Sequence, residues 1–214
     1  MSFALVLVYI TVISNFFPVV AAVYNYRQLD YILKLMFVFC LISTIPDTTS
    51  LILTYLKLKY NTVFLMHFFD MAAVVFFTLI YHRAFYKPAL KKLTLLLGGT
   101  SLIVIIFNSI FIESIWRYPS VSNTVLCVLL IVLSLTHFHQ LLSRQEFTYI
   151  EKQSMFWINS GVLLYFAADI FLFMLYNKIS SVQRNDYYMI QSIANIIANL
   201  LYSVGLLCKP QKTA

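Results

Sequence analysis

The sequence predicts an all-α fold, a polytopic membrane protein built as a bundle of seven transmembrane helices. Of its 214 residues, 61% are hydrophobic and only 11% are charged, whereas soluble domains carry about 25% charged residues. The apolar residues also gather into seven long runs separated by short polar connections. At ~1.5 Å per residue, runs of this length cross a hydrocarbon layer of about 30 Å.

The seven spans are expected to form one transmembrane domain that covers residues 1–214. Their predicted bounds are 3–24, 33–56, 61–82, 93–112, 120–142, 154–177 and 187–208. The first run has no charged side chain and is followed, not preceded, by a basic residue, Arg27. A cleaved signal peptide begins with a basic region, so the first span is expected to be an uncleaved helix.

Lysine and arginine residues near the span ends predict the orientation, since the more positive side of a membrane protein usually faces the cytoplasm. One side collects ten of them: Arg27, Lys34, Arg83, Lys87, Lys91, Lys92, Arg144, Lys152, Lys209 and Lys212. The other side collects five: Lys57, Lys59, Arg117, Lys178 and Arg184. The N-terminus is therefore predicted outside and the C-terminus in the cytoplasm.

The most basic segment is the predicted cytoplasmic loop between Arg83 and Lys92. By default such a loop is attracted to anionic lipid headgroups. The alternative is a docking surface for a separate cytoplasmic signalling partner, and the residues expected to face that partner are Arg83, Lys87, Lys91 and Lys92.

The net charge of +7 does not predict a nucleic-acid partner, because the basic residues lie at span ends and form no stripe on a polar scaffold. The three cysteines lie in apolar runs without a CxxC pair, so free buried thiols are expected. No cofactor and no oligomeric state are predicted.

Three long apolar stretches, bounded by Lys34 and Lys57, by Lys59 and Arg83, and by Lys152 and Lys178, each contain a single charged residue, and in every case it is an aspartate. These are Asp47 in the second span, Asp70 in the third and Asp169 in the sixth. Counted from the predicted span ends, all three lie ~12–15 Å from the same side of the bundle. Since that side is the outer one in the predicted orientation, the aspartates are expected to form one polar layer in the outer half of the membrane.

An aspartate at the centre of a spanning helix costs roughly 2.5–3.5 kcal/mol on insertion scales. The three carboxylates are therefore expected to face the interior and to meet polar partners there. The predicted ligand-binding residues are Asp47, His67, Asp70, Tyr165, Asp169, Asn195 and Asn199. His67 is included because it lies three residues before Asp70, on the same helix face. Asn195 and Asn199 have the alternative role of hydrogen-bonding between helices.

Several chemistries can be weighed from these residues. A retinal Schiff base is excluded, because the seventh span contains no lysine. No metal is expected; if one were bound, its ligands would be His67, Asp70 and Asp47. A metal-dependent intramembrane lipid hydrolase stays an alternative, but a catalytic zinc usually has three protein ligands and only one histidine lies at the right depth, so an enzyme is not favoured.

A transporter is the second alternative. Spans one to three and five to seven could be parallel repeats around the fourth, as in some sugar transporters. In that register the second span matches the sixth, and both carry an aspartate, Asp47 and Asp169.

The sixth span carries the pattern Phe156-Trp157-Ile158, Gly161 and Tyr165-Phe166. The second span carries Asp47, the third carries the pair His67 and Asp70, and the last span is rich in asparagine. Together these features resemble a group of short uncharacterised bacterial seven-helix membrane proteins. The resemblance implies a multi-pass protein of the bacterial inner membrane and a sensory or signalling context. The function predicted first is a receptor-like or sensory membrane module that binds a small polar ligand, a lipid headgroup or a proton in the outer-half polar layer.

Overall fold

A computed structural model describes residues 3–56, 62–143, 150–175 and 181–208. Within these ranges the secondary structure is helical and contains no strand. The predicted connection 57–60 and the end of the sixth span, 176–177, lie outside the described residues. So do the side chains of seven of the basic residues used for the orientation: Lys57, Lys59, Arg144, Lys178, Arg184, Lys209 and Lys212.

Eight α-helices follow one another along the described chain. They are α1 (Phe3–Ser14), α2 (Phe16–Tyr24), α3 (Tyr31–Tyr55), α4 (Val63–Ala84), α5 (Pro88–Phe111), α6 (Ser120–Leu142), α7 (Ser154–Leu175) and α8 (Ser181–Leu207). The first predicted span corresponds to α1 and α2 together, and the other six spans correspond to α3 to α8. Two single-turn 3₁₀ helices, Tyr26–Gln28 and Ile150–Lys152, precede α3 and α7.

Six of these segments are long and apolar enough to cross a membrane: Val6–Tyr24, Tyr31–Leu53, Val63–Ala84, Pro88–Phe111, Ser120–Leu142 and Met189–Leu207. The α7 helix adds a shorter apolar segment, Ser154–Ile170. Large apolar side chains cover the outside of the bundle, and on α5 Ile103, Ile110 and Phe111 are each about two-thirds exposed, at 69%, 64% and 70%. Such a surface is typical of helices that face hydrocarbon.

The basic loop between the third and fourth spans is shorter than the sequence predicts. Arg83 belongs to the last turn of α4, and α5 already begins at Pro88, so Lys91 and Lys92 lie on a helix. Pro88 favours the start of a helix, because its missing N–H would have no partner there in any case. The prediction of a ten-residue loop was wrong because hydropathy marks where a helix becomes apolar, not where it begins.

The first span is divided in two at Asn15, which separates α1 from α2. Pro18 lacks an N–H and cannot donate to the carbonyl of Ser14, so the helical hydrogen-bond ladder is interrupted there. In contrast, Pro46 lies inside α3 without ending it. Ser14 and Asn15 lie on the same side of the segment as the buried Pro18, Ala21 and Ala22, and both are buried in the bundle.

The helices form a closed ring in chain order. Each helix from α2 to α8 packs against its neighbours in the sequence, α8 closes the ring against α1 and α2, and α4 also contacts α6 across the interior. The α4 helix is accordingly the most central one, and Ala73, Val74, Phe77, Ile80 and Tyr81 are almost fully buried.

The ring has two ends, each named here by its residues. The "basic face" includes the end of α2, the start of α3 and the connection between α4 and α5; the "pocket face" includes the end of α3 and the connection between α5 and α6. Aromatic rings hold cations on the basic face, with the Arg83 guanidinium 5.1 Å from the Tyr31 ring centre and the Lys34 ammonium 5.6 Å from that of Tyr26.

A buried hydrogen-bonded cluster links α4, α6 and α7 between the pocket and the basic face. The Tyr81 hydroxyl donates to Asn159 Oδ1 at 2.6 Å and lies 2.7 Å from the Ser134 hydroxyl. The Asn159 amide in turn donates to the Ser134 carbonyl at 3.1 Å. All three side chains are almost fully buried, so each depends on the others for its partners.

Replacing Tyr81 by phenylalanine is expected to lower the free energy of unfolding by about 1–2 kcal/mol, because Asn159 Oδ1 loses its donor in a buried site. The measurement is equilibrium unfolding in mixed micelles. The matched control is Tyr24→Phe, since Tyr24 is 87% exposed. Equal stability of the two variants would contradict the cluster.

Candidate functional site

A cavity of about 150 Å³ lies inside the ring toward the pocket face. Its polar lining comes from four helices and from Asn15 between α1 and α2: Asn15, Ser43, Asp47, Asp70, Asn123, Gln191, Asn195 and Asn199. Its aromatic lining comprises Phe39, Phe69, Tyr118, Tyr165, Phe166 and Tyr202. We refer to this space as the inner cavity.

A second, larger cavity of about 380 Å³ adjoins it and is lined mainly by α1, α3 and α8. We call it the outer cavity. Five residues line both spaces: Asp47, Met66, Tyr165, Gln191 and Asn195. Shared walls make the two cavities neighbours, and Asp47 lies at the boundary between them.

Five of the seven predicted ligand-binding residues line the inner cavity: Asp47, Asp70, Tyr165, Asn195 and Asn199. They come from α3, α4, α7 and α8, four helices that are well separated in the chain. The expectation that the polar groups of different spans turn toward one interior space therefore agrees with the geometry for these five residues.

The Asp47 carboxylate is held by a chain of asparagines. The Asn15 amide donates to Asp47 Oδ2 at 2.7 Å, and the Asn199 amide donates to Asn15 Oδ1 at 2.7 Å. Asn199 also lies within donating distance of Asn195 Oδ1 at 2.8 Å and of the Ser14 hydroxyl at 3.0 Å. Through these hydrogen bonds, Asn15 in the first span is connected to Asp47 on α3 and to Asn199 on α8.

The Asp70 carboxyl is more deeply placed and less well satisfied. Its side chain is 1% exposed, and its Oδ2 atom has no hydrogen-bond partner among the described residues. Buried polar atoms in proteins are nearly always hydrogen-bonded, so an exception calls for a specific explanation, such as a role in binding. Asp70 is also part of the inner cavity wall, which makes it the clearest candidate for contact with a bound ligand.

Asp169 lies behind the cavity wall. Gln191 Nε2 approaches its Oδ2 at 3.4 Å and the Tyr165 side chain is hydrogen-bonded to the same carboxyl, while the Oδ1 atom is buried without a partner in the described structure. Tyr165 and Gln191 both line the cavity. Asp169 therefore orients two wall residues and does not line the cavity itself.

His67 is directed away from the cavity. Its Nδ1 atom lies 2.9 Å from the Ser109 hydroxyl and its Nε2 atom 3.1 Å from the Arg117 carbonyl. Residues three apart on a helix differ by about 60° in direction, and that angle is enough to turn Asp70 toward the cavity and His67 toward α5. The placement of His67 beside Asp70 in one site is corrected accordingly: the imidazole fastens the α5–α6 connection to α4.

The same α5–α6 connection is held by Glu113. Its two carboxylate oxygens accept from the Asn108 amide at 2.6 Å and from the Val121 backbone N–H at 2.9 Å. A carboxylate near the first N–H groups of a helix is favourable. The loop that carries Tyr118 into the inner cavity wall is thereby anchored at both ends.

Within the described part of the chain, no group of three or more His, Cys, Asp or Glu side chains is arranged to hold a metal ion. The set named from the sequence, His67, Asp70 and Asp47, does not converge, because His67 faces α5. Neither cavity is lined by a lysine, arginine or histidine among the described residues. The chemistry available in the inner cavity is therefore that of carboxylates, amides, hydroxyls and aromatic faces.

Several wall residues were not among the predicted site residues. Asn15 could have been found from the sequence, since it is a polar residue in a span without charges and lies close to Pro18, which leaves a backbone carbonyl without its helical donor. Phe39, Phe69, Tyr118 and Asn123 carry no such signal, because aromatic residues and isolated asparagines are common in spans and at their ends.

On the predicted cytoplasmic side, Arg83, Lys87 and Lys92 are exposed and Lys91 is half-buried. Arg83 packs on Tyr31, so its cation is oriented along the basic face. No family model, no curated protein and no solved structure matches the chain.

Proposed function

We propose that this chain is a receptor-like or sensory integral membrane module that binds a small polar ligand, a lipid headgroup or a proton in the inner cavity. In this proposal the protein is a multi-pass protein of the bacterial inner membrane, with the basic face in the cytoplasm and the pocket face outside. The excess of lysine and arginine on the basic face supports this orientation.

The observation that carries the proposal is the Asp70 carboxyl, buried in the cavity wall with one oxygen unpartnered. A buried acceptor without a donor costs about 1–3 kcal/mol, and ionisable groups within membrane spans are functional candidates by default. A ligand that supplies the missing interaction would recover that cost, and this gain in free energy would favour binding in the cavity.

The α4 helix offers the route from the pocket to the cytoplasmic partner. It carries Asp70 in the cavity wall and Arg83 at the basic face, about 20 Å away along one unbroken helix. The Tyr81 cluster lies between them and couples α4 to α6 and α7. In the proposal, a ligand that shifts α4 repacks this cluster and alters the surface formed by Arg83, Lys87, Lys91 and Lys92, where the partner binds.

The transporter alternative has less support from the packing. In the ring each helix contacts its neighbours in the chain, so spans one to three and five to seven do not form separate bundles. The lipid hydrolase alternative also has less support, because His67 does not face the carboxylates of the cavity.

A binding and uptake experiment with Asp70→Asn separates these functions. Purified protein is screened by thermal shift against small polar solutes, and hits are tested for uptake into proteoliposomes and for turnover. We expect stabilisation by a solute without uptake or turnover, and loss of that stabilisation in Asp70→Asn. The matched control is Asp30→Asn, the same change at the basic face, where Asp30 caps α3 by accepting from the Leu33 N–H at 2.8 Å.

A fluorescent label on the basic face reports the transmission step. Lys87→Cys in a Cys208→Ser background provides one accessible thiol, since Cys40 and Cys127 are buried. The label is expected to respond to the bound solute in wild-type protein but not in Asp70→Asn. Asp70-dependent uptake would instead favour the transporter, and stoichiometric zinc together with turnover would favour the hydrolase.

A further inference from the structure

We infer that the ligand of the inner cavity is a small organic ammonium ion, recognised by the Asp47 and Asp70 carboxylates together with the surrounding aromatic faces. The inference rests on the proposed function of the cavity as a binding site and specifies the chemical class of its ligand.

The charge of the lining is the first argument. Both titratable acids of the inner cavity wall are aspartates, and no cationic side chain among the described residues lines the space to balance them. One Asp47 oxygen is occupied by the Asn15 amide, and the Asp70 Oδ2 atom has no partner among the described residues. A cation bound beside these two carboxyls would stabilise their ionised forms, whereas an anion would be repelled by them.

The aromatic lining is the second argument, because it distinguishes an organic cation from an inorganic one. Six aromatic residues line a space of about 150 Å³, and their edges and faces are closely set, with the Phe39 and Phe69 ring centres 5.8 Å apart. Aromatic faces attract ammonium groups and are the usual recognition surface for methylated ones. A divalent metal would need several converging oxygen ligands, and among the described residues no group of three or more His, Cys, Asp or Glu side chains is arranged to hold a metal ion.

The size of the space is the third argument. At the ~10–15 Å³ that one water molecule needs by the same measure, a volume of about 150 Å³ has room for on the order of ten water molecules, so the ligand is a small molecule. The outer cavity next to it, at the Asp47 boundary, is larger and is lined on one side by Val8, Val12 and Leu51. It can hold a further part of the molecule, so the ammonium group can come from a free amine or from a lipid headgroup.

The test uses choline as the probe and 3,3-dimethylbutan-1-ol, its uncharged carbon isostere, as the matched control ligand. Binding of radiolabelled choline is measured on full-length protein in nanodiscs of phosphatidylglycerol, which has no amine headgroup. We expect choline to bind and the isostere to compete at least about tenfold more weakly, because only choline gains the charge interactions. Equal competition by the isostere would overturn the inference.

Two variants assign the interaction to the cavity. Asp70→Asn is expected to weaken choline binding at least about tenfold, while Asp30→Asn leaves it unchanged. Phe69→Leu keeps an apolar wall but removes an aromatic face, and we expect it to weaken choline binding by about two- to tenfold without changing the affinity of the isostere. Equal losses of choline and isostere binding in Phe69→Leu would show a packing effect and contradict aromatic recognition.

Nanodiscs of phosphatidylcholine distinguish the two sources of the ammonium group. Weaker choline binding there than in phosphatidylglycerol would identify the lipid headgroup as a competitor for the cavity, and equal binding would identify a free amine as the ligand. Asp70-dependent binding of a neutral or anionic solute, with no binding of choline, would overturn the ammonium inference and leave the receptor proposal standing. If no solute binds in an Asp70-dependent manner, the receptor proposal itself fails.

Discussion

Replacing Gly205 by valine is expected to separate α7 from α8 and to lower the melting temperature by about 5–10 °C. A Cβ atom at Gly205 would lie 2.9 Å from the Ser154 carbonyl oxygen and 2.8 Å from the Ile158 side chain. The carbonyl belongs to the backbone of α7 and cannot move aside without moving the helix. Close approach of two backbones at a glycine is a common way in which membrane helices associate.

The matched control for this prediction is Gly99→Val. A Cβ atom at Gly99 has no neighbour within 4 Å among the described residues, so the larger side chain enters open space and the melting temperature should hardly change. The α8 helix carries Asn195 and Asn199, so Gly205→Val should also reduce ligand binding. A Gly205→Val protein that melts like the Gly99→Val protein would contradict the packing of α7 against α8.

The second prediction concerns the asparagine chain that holds Asp47. Asn199→Leu is expected to lower the free energy of unfolding by about 1–3 kcal/mol, because the buried Asn15 Oδ1 loses its donor at 2.7 Å and a leucine offers no replacement. Asn15→Leu should have a similar effect, since it removes the donor to Asp47 Oδ2. Each variant is measured by equilibrium unfolding in mixed micelles.

The double variant Asn15→Leu/Asn199→Leu makes this prediction specific. Because the two side chains contact each other, their effects should not add, and the coupling free energy should be about 0.5–1.5 kcal/mol. Gln28→Leu serves as the control, since it removes an amide that is exposed at the basic face. Strictly additive effects of the two substitutions would show that Asn15 and Asn199 do not bond to each other.

The three aspartates illustrate how far the sequence leads toward the site. Depth along a helix is a linear quantity, so counting residues places Asp47, Asp70 and Asp169 in one layer, and all three belong to the region of the inner cavity and its wall. The direction of a side chain around the helix is an angle. A rotation of the helix about its axis by about 60° is enough to decide whether a side chain lines a cavity. Asp169 and His67 differ from Asp47 and Asp70 in this second quantity.

The helix bounds also show which features the sequence predicts and which depend on the tertiary structure. The runs of apolar residues predict where helices are long enough to cross a membrane, because hydropathy and length are properties of the chain itself. They do not predict that α5 begins at Pro88 or that the first span is divided at Asn15. Those features depend on a proline's missing N–H and on what the neighbouring helices offer in its place.

The sequence by itself therefore determined that this protein is a set of apolar helices with a polar layer at one depth, because composition, hydropathy and charge spacing can be read along one dimension. Only the tertiary structure decided which polar side chains share a cavity, that Asn15 holds Asp47 and that His67 turns to α5. The physical reason is that these facts depend on the rotation of each helix and on its partners across the ring, and contacts between residues as distant as Asn15 and Asn199 leave no local trace in the chain.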